Sequence, residues 1–163
     1  MRHQPTNTTV TGRVPETEGS LKNNDLFPGQ RVSMDHFICS AKGRLYDSLG
    51  KSKDQVMFQG GCLFVDHASG YIHVEHQVSI SASESIEAKL KFERVCYDMG
   101  VKVQAYQSDN GVFDSAAYTK ELLGTNQQVR FSGVGAKHQN GIAERGIGTI
   151  MNMARTFMLH AAI

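Results

Sequence analysis

Apolar and polar residues alternate along Arg31–Ser40 (RVSMDHFICS), which predicts a β-strand. Val32, Met34 and His36 fall on one face of it, and Asp35, Phe37 and Cys39 on the other. Met57–Asp66 and Tyr71–Val78 are the next strands, joined by a turn at His67–Gly70 into a hairpin. Ser83–Met99 reads as a helix, with Ser83 as its cap and Glu84 and Glu87 suiting the dipole of its first turns. Ile86, Leu90, Val95 and Tyr97, with Phe92 near them, are its apolar candidates, and Gly100 ends it. Val101–Gln107 alternates again as a fourth strand, running into a turn at Ser108–Gly111. Ser115–Leu123 is a short helix closed by Gly124, and Gln128–Phe131 a fifth strand. A glycine-containing loop, Ser132–Gln139, leads into a long last helix from Asn140 or Gly141 to about His160.

Three antiparallel strands followed by alternating helices and strands predict an α/β fold, a mixed five-stranded sheet flanked by helices. Residues 1–28 are polar and aperiodic and read as a flexible tail, with the fold beginning after the Pro28-Gly29 turn signal. Residues 29–163 then form one domain, which we expect to be truncated at its C-terminal end because the chain stops just past the last helix. Ala41–Gln55 is expected to be an elongated loop or hairpin tip.

Composition narrows the class. With 163 residues, 40% hydrophobic and 20% charged, the chain suits a single globular domain. No apolar run is long enough to span a membrane, and the N-terminus lacks a secretory apolar segment, so an intracellular protein is expected. Cys39, Cys62 and Cys96 are too scattered for a zinc knuckle or a disulfide framework and read as buried thiols. His36, His73 and His76 lack the spacing of a zinc site. The formal net charge is only +1, low for a domain that binds nucleic acid unaided.

Three acids stand where structure gives them little reason to be. Asp35 is mid-strand among apolar residues, Asp109 ends a strand at a turn, and Glu144 opens a helix behind a loop. Buried carboxylates need a partner, and hard divalent cations take carboxylate oxygens. Two such ions about 4 Å apart can clamp the attacking and leaving oxygens of a phosphodiester. Taken singly, each acid has an ordinary reading as a turn, helix-start or strand-edge residue.

The local words change that balance. Gln107-Ser108-Asp109-Asn110-Gly111 and His138-Gln139-Asn140-Gly141-Ile142-Ala143-Glu144-Arg145 resemble the two signature segments of copia-type retrotransposon integrases, and Phe64–Tyr71 resembles that family's second and third strands. The likeness spans about residues 30 to 160. It implies a ribonuclease H-like D,D,E core that trims the 3′ ends of element DNA and joins them to target DNA. It implies Asp35, Asp109 and Glu144 as catalytic acids holding two Mg²⁺ or Mn²⁺ ions. Asp66 competes with Asp35 for the first position; Asp35 is preferred because it lies on the first strand.

Asn110, Lys137, His138, Gln139, Asn140 and Arg145 are candidate nucleic-acid contacts, through amides and cations near the acids. DNA and further copies of the chain are the implied partners, with no membrane and no small-molecule substrate, and the nucleus the location if the element is an active eukaryotic one. The last helix departs from the family pattern. It carries Gly146 and Gly148, and Arg145 and Arg155 as its only strong cations. Each glycine costs about 1 kcal/mol of helix stability relative to Ala. Two other readings stay open: a silent, domesticated or decayed remnant that binds nucleic acid or protein, and a ribonuclease H acting on RNA–DNA hybrids.

Overall fold

The computed structural model of the chain describes residues 25–44, 57–109, 111–131 and 140–161. Five strands form one sheet: β1 (Val32–Gly43), β2 (Phe58–Asp66), β3 (Ile72–Gln77), β4 (Ala105–Ser108) and β5 (Gln128–Phe131). Their order across the sheet is β3-β2-β1-β4-β5. β1, β2 and β3 pair antiparallel, while β4 lies parallel to β1 and β5 parallel to β4. The helices are α1 (Ala82–Asp98), α2 (Ala116–Gly124) and α3 (Gly141–Ala161), with a 3₁₀ turn at Val112–Asp114. The mixed sheet flanked by helices that the alternation predicts is the observed architecture.

β1 is longer than predicted. Pairing of Gly43 with Phe58 carries it into the segment expected as a loop, after an irregularity beyond Ile38. Residues 45–56 of that segment lie outside the described residues, as does residues 1–24 of the expected tail.

The alternation in β1 sorts its side chains as predicted. Val32 and Met34 join Cys62, Phe64, Phe92, Tyr106, Tyr118 and Leu122 in the main core, on the sheet face covered by α1 and α2. Phe64 and Phe92 stack with ring centroids 4.6 Å apart. Truncating either buried ring would cost about 3–5 kcal/mol. The opposite face, carrying Ser33, Asp35, Leu63 and Val65, meets α3.

Two features of α1 differ from the sequence expectation. Its cap is Ser81, whose hydroxyl accepts from the Glu84 amide, while the Glu84 carboxylate accepts from Val78 and Ser79. This reciprocal arrangement satisfies amides that Ser83 would leave open. The buried face is Ser85, Ala88, Lys89, Phe92 and Cys96, whereas Leu90 and Tyr97 are exposed. The polar members are buried because distant residues meet them. Lys89 Nζ donates to Glu93 and Glu121, and Ser85 Oγ contacts the His36 ring. At the other end Gly100 takes φ +75, the left-handed conformation that terminates helices.

Candidate active site

The strand register brings two acids together. Ser33 of β1 pairs with Gln107 of β4 in a parallel ladder; Asp35 follows two residues later on the same face of β1, and Asp109 two residues later, one past the end of β4. β4 ends just before Asp109, and Gly111, at φ +115, turns the chain into the 112–114 turn. Asp35 is half-buried and Asp109 exposed.

α3 supplies the third acid to the same face. Asn140, immediately before the helix, is buried, and its Nδ2 donates to the Met34 carbonyl (3.4 Å). Six residues on, a Cβ at Gly146 would sit 3.0 Å from both Leu63 and Val65 side chains. Leu63 is the cross-strand partner of Asp35. Gly146 therefore lets the first turns of α3 lie close over the strand pair that carries Asp35, which accounts for one of the two helix glycines. Gly148 borders open space, and nothing in the structure explains it. Glu144 and Arg145 lie between these anchors on the exposed side of the helix.

Electrostatics records the convergence. Burial, then the negative charge of Asp109, pushes the Asp35 carboxyl up to about 6; Glu144 adds to the rise, and the His36 backbone amide, donating to Asp35 Oδ1 at 2.8 Å, opposes it. Asp109 is raised in the same direction, by burial and by Glu144. A site in which neighbouring carboxylates raise the proton affinity of Asp35 and Asp109 is short of positive charge. The donors are all hard oxygens, the type that Mg²⁺ or Mn²⁺ selects. The residues fit such ions in kind, but they do not form a closed ligand set. Among the described residues, no three His, Cys, Asp or Glu side chains are gathered closely enough to hold a metal ion.

Asp66, the competitor for the first position, serves elsewhere. It pairs with Val32 at the start of β1, on the opposite face from Asp35. Its Oδ1 accepts from the Gly29 amide (2.9 Å), and its Oδ2 accepts from the amide and hydroxyl of Ser69 (2.8 and 2.6 Å). It is a turn acid, and a buried one.

Sequence reasoning passed over His36. Its ring stacks on Phe113 at 4.3 Å and its Nε2 lies 2.9 Å from Ser85 Oγ. Burial lowers its pKa to about 4, so it is neutral near neutral pH. It ties the residue after Asp35 to the turn that follows Asp109. Its place directly after Asp35 was the available signal. Of the expected nucleic-acid contacts, Arg145 is exposed beside Glu144, and Asn140 is buried against β1. Asn110, Lys137, His138 and Gln139 lie outside the described residues.

No protein-family model matches the sequence, and neither does any curated protein. Solved structures do match in fold. A chain of the simian T-cell lymphotropic virus intasome in complex with PP2A regulatory subunit B56 gamma is 15% identical, with TM-score 0.63, over 83% of this chain and 43% of that one. The HTLV-2 integrase catalytic core domain in complex with magnesium, in its dimeric form, is 19% identical, with TM-score 0.58, over 83% of this chain and 76% of that one. The BIV integrase catalytic core domain is 15% identical, with TM-score 0.50, over 72% and 64%. The chain thus spans less than half the length of the intasome chain. At these identities the likeness is one of fold: this is the ribonuclease H-like fold of retroviral integrase catalytic cores.

Proposed function

We propose that the chain is the catalytic core of a metal-dependent DNA strand transferase, a copia-type integrase that processes 3′ ends of element DNA and joins them to target DNA. The observation that carries this reading is the nearness of the three acids: the charges of Asp109, just past β4, and of Glu144, on the α3 that packs on β1 and β2, both act on Asp35. The fold of its structural neighbours supports it. So does the magnesium in the complexes of the HTLV-2 core.

In this reading Asp35, Asp109 and Glu144 hold two Mg²⁺ or Mn²⁺ ions. When bound, the ions neutralise phosphate charge and activate a hydroxyl for in-line attack. The chain's own part is positioning. Asp35 is fixed by its strand and by the His36 amide. Asp109 is exposed, one residue past a strand end. Asn140 and Gly146 set the height of α3 above β1 and β2, and hence of Glu144. Arg145, with Asn110, Lys137, His138 and Gln139, contacts phosphates near the acids. The working form is a homo-oligomer on DNA, in the nucleus where the element is eukaryotic, and residues 1–28 are a tail to the core.

A catalytically silent remnant is the second reading, favoured by the open arrangement of the three acids among the described residues. Calorimetric titration of the folded protein with Mg²⁺ and Mn²⁺, beside Asp109→Asn, tests the first reading. Binding that the variant loses supports it. No binding, with or without a DNA oligonucleotide, leaves the remnant.

A further inference from the structure

Net charge hides how the charges are distributed. On the sheet face that carries Asp35 and Asp109, α3 lies over β1 and β2. Beside it is a cavity of about 470 Å³, lined by Arg31, Lys102 and Arg130 together with Gln104, Gln128 and Asn126. Among the described residues, no Asp or Glu lines it. None of the three cations makes an ion pair among the described residues, whose pairs lie on α1 and β3 instead. The charge of Arg31 reaches as far as His67, whose pKa it helps to lower after burial. A solvated surface cation ordinarily stands alone or beside an acid. Here three line one concavity, interleaved with amides and, among the described residues, without an acid.

Register gives the distance to the carboxylates. Arg130 pairs with Gln107, two residues before Asp109. At about 3.3 Å per residue along a strand, the cation-bearing backbone starts roughly 7 Å from the acids at Arg130 and extends to roughly 13 Å at Arg31 and roughly 23 Å at Lys102. Those distances span about two to seven nucleotides of one strand of a duplex, at about 3.4 Å each. Among the described residues no aromatic side chain lines the cavity, so they supply no stacking platform of the kind a base-reading site uses.

We propose that this cavity binds the phosphodiester backbone of DNA and leads the strand to the three carboxylates. The proposal rests on the strand-transferase reading and names where that site's substrate is held. Arg31, Lys102 and Arg130 meet phosphate oxygens, and the amides of Gln104, Gln128 and Asn126 complete the hydrogen bonds. A chain of net charge +1 thereby presents a locally cationic track.

The test is fluorescence anisotropy with a labelled 24-base-pair duplex of arbitrary sequence, in EDTA, at salt concentrations from 50 to 200 mM. The variant is Lys102→Gln with Arg130→Gln, both exposed positions. The control is Lys91→Gln with Lys120→Gln, which removes the same charge from α1 and α2 on the other face. Circular dichroism and thermal unfolding verify the fold of each. The groove variant is expected to bind on the order of tenfold more weakly, with the log–log salt slope shallower by about two, and the control to change far less. Equal loss in both variants reduces the effect to net charge and overturns the proposal, as does no loss in the groove variant. Asp109→Asn is measured alongside. If metal binding proves absent while the groove variant alone weakens DNA binding, the strand-transferase reading fails and the groove stands.

Discussion

Asp35 is held in a folded environment that disfavours its charge, and replacing it should stabilise the protein. Its pKa rises from 3.8 to about 6 on folding, through burial and the charges of Asp109 and Glu144. Below pH 3.8 the carboxyl is protonated in both states and costs nothing. Between pH 3.8 and 6 the folded state keeps a proton that the unfolded state releases, so stability falls as pH rises. Above about pH 6 the full penalty is present. Two units at 1.36 kcal/mol each give about 3 kcal/mol. Partial exposure screens this, and about 1–2 kcal/mol is the expected net effect. Asp35→Asn keeps an oxygen for the His36 amide and removes the charge. At about 2–4 °C per kcal/mol for a domain of this size, the variant should melt about 3–6 °C above the wild type at pH 7.5 in EDTA. It should melt within a degree or so of the wild type at pH 3.5. Mg²⁺ should then raise the wild-type Tm at pH 7.5, by binding the folded state alone, and leave the variant unmoved. Differential scanning calorimetry across pH 3.5–8 measures all of this. A variant less stable than wild type at pH 7.5, or a difference independent of pH, would refute the electrostatic account of the site.

Other expectations follow from single contacts. Asp66→Ala abandons the Gly29 and Ser69 amides and should cost about 2–3 kcal/mol in urea unfolding; its folded fraction should still bind Mn²⁺, and loss of that binding would return Asp66 to the candidate ligands. Gly146→Leu should lift α3 from Leu63 and Val65, costing about 1–3 kcal/mol and weakening Mn²⁺ binding, whereas Gly148→Ala, facing open space, should stabilise by up to about 1 kcal/mol; equal effects at the two glycines would contradict the close approach. Lys89→Ala leaves Glu93 and Glu121 facing each other without their cation and should lower stability by about 3 kcal/mol, read from the denaturation midpoint.

The candidate site was largely legible because its information is local. Asp35 disrupts an apolar strand, and Asp109 and Glu144 sit inside short recognisable words. Alternation alone assigned Asp35 and Met34 to opposite faces, and the structure agrees, since a side-chain period of two leaves no other choice. The order of the elements followed from periodicities and glycine stops. The buried face of α1 was misread because an apolar count favours Leu90 and Tyr97 over Lys89 and Ser85. A buried polar residue is decided by its partners, and these lie on β1 and α2. Hydrogen bonds to Gly29 and Ser69 bury Asp66, and pairing with Phe58 extends β1 to Gly43. Gly146 looked like a cost to the helix until Leu63 and Val65 were seen beneath it. The sequence by itself determined which residues carry charge and which face of each strand they occupy, because both are set within a few residues. Only the tertiary structure decided that Asp109 and Glu144 come near Asp35 and that Arg31, Lys102 and Arg130 line one cavity. Register between strands far apart in the chain is fixed by packing the whole sheet at once.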